Sequence, residues 1–457
     1  MRTPLPQRLL LALVVAGALV RVSTLTVQSL WLDEAFSVLS ARAHSVAELW
    51  SPGIDPIHPP LFYVLLHASL NAFGDGVAAA RLPSALASVA GLALVAWLAA
   101  SVLGDRRAGW LAAALLALAP IDLWYAQEAR MYALVALSAT VTALGCWLDR
   151  PWAPVLAVIG AVAGLYLDHT MWPILIAIGA LAVTWPATTR RSLGPVWRVA
   201  LVVVAIALCC RPVWAQALVA YGELDKVSLF KNLAARLHWG SVTRVPLAVA
   251  MAACAALAVL VARALSSLVR RAGDATALPA VVTAVFVLAT MACAYPRAYS
   301  AKQVLVCVWP LVTLAAAWAV ARVRAEAPVL ALCACACAFT FVTPRADWRG
   351  VVAHLTTRHA PSMRVVLDPP YNRQPWSFYR TAASPATLAT DGRATDLLAR
   401  LIAGGETLCL VAERFGNAPP TSPTEAWLDQ HATLQSTTRF ARLDVRCYGA
   451  PAGQPGK

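Results

Sequence analysis

Two carboxylates stand side by side at Asp33 and Glu34, in the run Trp31-Leu32-Asp33-Glu34-Ala35-Phe36 that follows the first apolar stretch. The same loop then carries Asp55-Pro56-Ile57-His58-Pro59-Pro60. Paired acids at the edge of an apolar run are costly unless they are solvated, paired or in use. An acid held beside Trp31 and Phe36 can have its pKa tuned for proton abstraction. Helix capping by Asp33, with Trp31 as an interface anchor, is the plainer alternative. A second acid and a proline-stiffened histidine in one loop weigh against it. A second cluster is Tyr125-Ala126-Gln127-Glu128-Ala129-Arg130-Met131-Tyr132. Glu128 and Tyr132, four apart, would share a helical face, whereas Arg130 joins them only if the chain is not yet helical there. Arg81 opens a later apolar run, and Arg297 with Lys302 precede another. Each cation alone reads as a snorkelling interface residue. Together, on one membrane face near paired carboxylates, Arg130, Arg81, Arg297 and Lys302 suggest a phosphate-bearing lipid headgroup with an acid placed to act on its partner. Asp168 and His169 either line the same cavity or close a polar loop.

What must position these residues is a membrane fold. Of 457 residues, 60% are hydrophobic and 13% charged, with a mean hydropathy of +0.65. Those figures exclude a soluble enzyme and a disordered chain, and predict an α-helical polytopic membrane protein. The net charge of +14 is spread over short loops between apolar runs, not gathered in one patch, so no nucleic-acid partner is expected. Eleven spans are predicted, near Leu9–Leu30, Leu82–Leu103, Ala108–Leu123, Met131–Leu148, Trp152–Leu167, Met171–Trp185, Val196–Leu218, Pro246–Leu265, Ala277–Ala294, Val304–Val320 and Ala327–Val342. With the N-terminus inside, inner loops and span ends hold thirteen basic residues against four acids, and outer ones nine against ten. That asymmetry accepts the register and puts the chemistry-bearing loops and the C-terminal region outside. The 13-residue run Leu61–Phe73 decides the parity; it is too short to span and reads as an interfacial helix.

The predicted division is residues 1–343, a transmembrane domain whose first outer loop is 31–81, and residues 344–457, a small outer α/β domain. In the second, helices are expected over Asp347–Arg358 and Ala394–Ile402, and strands at Arg364–Leu367 and around Leu408 and Val445. Cys409 and Cys447 can form a disulfide if this region meets an oxidising compartment. The cysteines inside apolar runs, such as Cys333, Cys335 and Cys337, read as small core residues, and no zinc-type CxxC pair occurs. The segment Lys226–Arg244, with Lys226, Lys231 and Arg236, reads as a surface helix or a lid.

The series WLDEAFS, DPIHPPLFYVLLH, FGDGVAAARLPSAL and LAPIDLWYAQEARMYAL, continued by LYLDHTMW, YPRAYSAKQVLVCVWP, RADWRGVVAHL and VVLDPPYNRQPWSFY, resembles the GT-C glycosyltransferase superfamily. The resemblance is to its bacterial protein O-mannosyltransferase and aminoarabinose-transferase-like, family 39-like members, over most of Arg21 to Arg380. It implies a GT-C fold and a hexosyl- or pentosyltransferase of the bacterial inner membrane, working at the periplasmic face. The donor implied is a polyprenyl-phosphate sugar with no nucleotide, and the acceptor a lipid, polysaccharide or protein hydroxyl. By the same resemblance Asp33, with Glu34 beside it, matches the catalytic acid, the general base of an inverting transfer. Asp55 and His58 would shape the acceptor side or hold a divalent metal, which the superfamily does not uniformly require. The Arg-Ala-Tyr-Ser-Ala-Lys spacing departs from the Arg-Tyr pair of relatives and puts the role of Arg297 in doubt. The same acids and arginines would also serve a transporter or lipid flippase. No internal repeat of the transporter kind is visible, so glycosyl transfer is the expectation.

Overall fold

A computed structural model describes residues 5–51, 54–55, 57–148, 150–172, 174–175, 178, 194–213, 301–342, 344–390, 394–414 and 422–451. The predicted spans Pro246–Leu265 and Ala277–Ala294, the segment Lys226–Arg244 and Arg297 lie outside the described residues. The chain divides into two compact units. The first comprises Met1–Thr24, Ser45–Ser69 and Arg81–Thr340, and the second Leu25–His44, Leu70–Ala80 and Phe341–Lys457. The acidic pair at Asp33 and Glu34 therefore belongs to the unit that contains the C-terminal region.

The first unit is helical because its sequence is a succession of Ala/Leu/Val runs punctuated by caps and prolines. Among the described residues its helices are α1 (Gln7–Ser23), α3 (Val46–Leu49), most of α4 (Leu61–Phe73) and of α5 (Val77–Leu103), α6 (Arg106–Ala117), α7 (Pro120–Ala126), α8 (Tyr132–Trp147), α9 (Ala153–Leu167), α10 (Gly194–Cys209), α11 (Ala301–Val323) and most of α12 (Glu326–Val342). Asp105 caps α6, its carboxylate accepting the Arg107 N–H at 2.8 Å. Arg107 also pairs with Glu326, the first residue of α12. Among the described residues, two helices are long and apolar enough to cross a membrane: Val77–Leu103 and the Leu305–Arg322 stretch of α11. The bent pair α6 and α7 adds a third if counted as one span, and Leu61–Phe73, Tyr132–Trp147, Ala153–Leu167, Trp197–Cys209 and Glu326–Ala338 are shorter apolar helices of 10–17 residues. Leu19, Val155, Ile159, Leu208 and Leu332 are exposed, apolar side chains of the kind a lipid-facing surface presents. Small residues let α8 and α9 pack backbone to backbone: a Cβ on Gly145 would lie 2.2 Å from the Ala157 nitrogen, and one on Gly160 2.6 Å from Thr142 Oγ1.

The second unit is built on a five-stranded sheet in the order β2-β1-β3-β5-β4. Its strands are β1 (Met363–Asp368), β2 (Ala386–Ala389), β3 (Thr407–Glu413), β4 (Thr433–Phe440) and β5 (Leu443–Gly449). β2, β1 and β3 are parallel, and β3, β5 and β4 antiparallel. Alternation along the strands sends side chains to two cores. Val365, Leu367, Cys409 and Val411 pack with Trp348, Val352 and Leu355 of α13 (Trp348–Thr357) and Trp376 of α14 (Arg373–Tyr379). Val366, Leu408 and Leu410 pack with Leu398 and Ile402 of α15 (Thr395–Ala403) and Leu428 of α16 (Pro423–His431). The edges are protected, β2 by being only four residues long and β4 by its polar run Gln435-Ser436-Thr437-Thr438-Arg439. Cys409 and Cys447 face each other in the β3–β5 register and are joined by a disulfide.

Glu413, at the end of β3, is pushed up by burial to about 7, with Arg442 opposing. A folded pKa above the unfolded one means that the folded state holds the proton more tightly. The stability this contributes is full below the ordinary value of 4.5 and is lost as pH rises through about 7. Glu413→Gln is therefore expected to raise the melting temperature at pH 8 and to leave it nearly unchanged at pH 5. The gain at pH 8 should be about 1–3 kcal/mol, at about 1.4 kcal/mol per pKa unit. Thermal denaturation of the protein at the two pH values checks this.

Candidate functional site

In the second unit the acidic pair opens α2 (Leu32–Ala43). Negative charge is favourable in the first turn of a helix, where amide N–H groups lack partners. The two acids nevertheless sit differently. Glu34 is fully buried; its Oε2 accepts the Trp31 backbone N–H at 3.3 Å and an N–H of Arg345 Nη1 at 3.0 Å. Arg345 is itself buried, so this is an enclosed ion pair. The Asp33 carboxylate is half-buried and makes no hydrogen bond or ion pair among the described residues. Glu34 is thus held in place, while the carboxylate beside it has no such partner among the described residues. The helix is fixed within its own unit by further contacts. Tyr379 accepts the Leu30 N–H at 2.7 Å, the Arg42 guanidinium lies 4.9 Å over the Phe378 ring, and Ser29 donates to Asp347 at 3.0 Å.

In the first unit, residues from three loops converge. Asp55 is buried and collects four donors. Its Oδ2 accepts from Tyr63 at 2.5 Å and His58 Nδ1 at 2.9 Å, and its Oδ1 from the Ile57 and His58 amides at 2.9 and 3.1 Å. Burial alone would lift the Asp55 pKa; the bonds from His58, Tyr63 and Ile57 outweigh it and hold the carboxylate well below its usual range. The two amide bonds to Asp55 Oδ1 make this an Asx-type turn. With Nδ1 donating to Asp55, His58 Nε2 is the acceptor for Arg130 Nη2 at 3.2 Å, which assigns the neutral ring. Asp168 Oδ2 lies 4.0 Å from the same Nε2.

Arg130 reaches this point because the chain between α7 and α8 is a turn, the non-helical geometry that its spacing from Glu128 and Tyr132 required. Its N–H bonds the Glu128 carbonyl at 2.7 Å, and its own carbonyl accepts from Ser84 at 2.7 Å. Glu128, Tyr132, Asp168, His169 and Arg81 are all buried in the same unit. Asp168 caps its own turn through the Thr170 N–H at 2.8 Å. Burial keeps His169 below the ordinary histidine value, with Asp168 opposing. Lys302 lies in the first turn of α11. Sequence reasoning did not single out Tyr63, Arg345, or the buried Arg21 and Asp122. Tyr63 sits in the apolar run Leu61–Phe73, which reads only as an interfacial helix. Arg345 is 311 residues from Glu34, so no local spacing signals it.

The described residues contain no group of three His, Cys, Asp or Glu side chains arranged to hold a metal ion, and the facing atoms of Asp55 and His58 are already bonded to each other. Two solved structures have a similar fold. One is ArnT from Cupriavidus metallidurans in the apo state, with a TM-score of 0.57, 15% identity, and 96% of this chain and 97% of that one covered. The other is the same protein bound to undecaprenyl phosphate, with the same score and identity and coverage of 97% and 98%. Its fold is that of ArnT. No family model and no curated protein sequence matches the chain. The ArnT fold takes in both units, so the small C-terminal sheet is part of the likeness as much as the apolar helices are. At 15% identity, residue roles rest on this chain's own geometry.

Proposed function

We propose that the chain is a membrane glycosyltransferase that moves a sugar from a polyprenyl-phosphate donor to an acceptor hydroxyl, with inversion at the anomeric carbon. The observation that carries the reading is the fold likeness, over nearly the whole chain, to a protein solved with undecaprenyl phosphate bound. In this reading Asp33 takes the proton of the acceptor hydroxyl as its oxygen attacks the anomeric carbon, and polyprenyl phosphate leaves. A half-exposed carboxylate with no hydrogen bond or ion pair among the described residues is suited to that task, and its fixed neighbour Glu34 sets the helix turn that presents it. The leaving phosphate gains charge in the transition state, so cations placed beforehand lower the barrier. Arg130 is the leading candidate, followed by Arg81, Arg297 and Lys302. Asp55, Tyr63 and His58 hold one another in a neutral-to-anionic relay that ends on Arg130 and orients it. Asp168 and His169, with Glu128 and Tyr132, complete the polar lining. The positive-inside count supports an inner-membrane protein with residues 31–81 and 344–457 on the periplasmic side.

Mass spectrometry of polyprenyl-phosphate sugars in cells lacking the protein tests this. One such lipid should accumulate and be cleared by the wild-type chain. If none changes, the glycosyltransferase reading fails and a transport role becomes the better account.

A further inference from the structure

The break between α6 and α7 is enforced by Pro120, which cannot donate a hydrogen bond, and the two helices meet at 64°. A break in an apolar segment strands backbone carbonyls where water does not reach, and each must find a donor. Here the donor is Arg21, near the end of α1 and fully buried. Its Nη1 donates to the carbonyls of Ala117 and Gly17, each at 2.9 Å. Its Nη2 donates to the Leu116 carbonyl at 3.0 Å, which also accepts the Ala119 N–H at 3.1 Å, and to Asp122 Oδ2 at 2.6 Å. Its Nε donates to Ser88 Oγ at 2.8 Å and leans toward Asp122 Oδ2 at 3.3 Å. All five N–H groups of the guanidinium are used. Ser88 donates to the same Asp122 oxygen at 2.6 Å, closing the triad. The close approach needs Gly17, because a Cβ there would stand 2.7 Å from that of Ala117.

The clasp holds both ends of α7. At its start α1 grips Asp122. At its end Gln127 Nε2 donates to the Val20 carbonyl at 3.3 Å and to Thr24 Oγ1, again on the α1 side. The next turn carries Glu128 and Arg130, and Ser84, one helical turn before Ser88 on α5, donates to the Arg130 carbonyl. We infer that Arg21, with Asp122 and Ser88, is a positioning residue: it sets the angle of the α6–α7 break and thereby places the Arg130 guanidinium against His58. A buried ion pair is a poor source of net stability, but as a fixed-geometry link it specifies one arrangement. The inference rests on the geometry of the first unit alone. Only the affinity measurement below depends on Arg130 meeting a phosphate.

The test uses the full chain in detergent and diethyl pyrocarbonate, which acylates the unprotonated imidazole nitrogen, with the modified peptides counted by mass spectrometry. In the wild type that nitrogen of His58 is covered by Arg130. Arg130→Ala should raise the His58 rate about threefold or more, the scale of one lost hydrogen bond. The double variant Arg21→Met/Asp122→Leu removes both charges at similar volume, so no buried charge is left alone. It should raise the His58 rate to the same extent, and adding Arg130→Ala to it should give no further rise, because the two act on one link. The buried His169 should stay at its wild-type rate; general loosening would expose both histidines. A wild-type His58 rate in the double variant, a parallel rise at His169, or a multiplied effect in the triple variant would each overturn the inference. Should the double variant not yield a monodisperse protein, Ser88→Ala removes one strut and should give a smaller rise at His58; no rise overturns the inference equally. Undecaprenyl phosphate affinity should weaken about tenfold in both the Arg130 and the double variant. If His58 responds as described but affinity does not change, the positioning role stands and the phosphate role of Arg130 falls.

Discussion

Asp33→Asn is expected to lower sugar transfer by about a hundredfold to ten-thousandfold, the range that a positioned general base supplies. Asparagine keeps the size and the first-turn compatibility of aspartate, so α2 should form as before. The Asp33 carboxylate makes no hydrogen bond or ion pair among the described residues, so little native structure depends on its charge. The loss should therefore appear in kcat with the melting temperature unchanged, measured as transfer from a polyprenyl-phosphate sugar by purified protein. Wild-type turnover in this variant, at normal expression, would remove Asp33 from the mechanism. Glu34→Gln is the informative contrast. Its side chain is fully buried against Arg345, so the change should reduce stability first and activity only in consequence.

Arg345→Met is expected to have the largest effect on stability, about 3–5 kcal/mol. It removes the Arg345 guanidinium from the fully buried Glu34 carboxylate, and breaking a buried ion pair at one partner is among the few single changes that cost so much. Arg345→Met/Glu34→Leu should recover most of the loss, because a buried ion pair exchanged for apolar side chains is close to neutral. Thermal or denaturant unfolding of the three proteins, read on a probe in the second unit, provides the measurement. Equal stability of Arg345→Met and the wild type would mean that Glu34 takes up a proton or finds another donor. Because the pair anchors the turn that carries Asp33, the single variant should also lose transfer activity, and the double variant should regain part of it.

The helices and strands of this protein were largely legible in its sequence because each rests on local signals. The run Leu61–Phe73 forms a 13-residue helix with the bounds its apolar stretch suggested. Asp347 and Arg358 flank the helix expected between them, and Asp347 caps it. The strands around Leu367, Leu408 and Val445 were visible as short apolar or alternating runs, and the cysteines of two of them face each other across the sheet. β2 and β4 were not visible: Ala386–Ala389 is short, and Thr433–Phe440 is mostly polar, so neither has a hydrophobic period to read. The apolar run Ala108–Leu123 looked like one span and is two helices, because Pro120 interrupts it without changing its hydropathy.

The sequence by itself determined the class of the protein and which residues could do chemistry: apolar runs and loop charges follow from composition, and Asp33, His58 and Arg130 stood out by type and place. Only the tertiary structure decided which acid of the pair is held and which is open, since that turns on Arg345, 311 residues away. It likewise decided that Arg130 meets His58, beside a break in a helix where a guanidinium on α1 donates to the Ala117 carbonyl. Hydropathy counts Arg21 as an exception within a span. In the folded chain it is the group that a broken helix in an apolar environment requires, and such a requirement exists only once distant segments have been brought together.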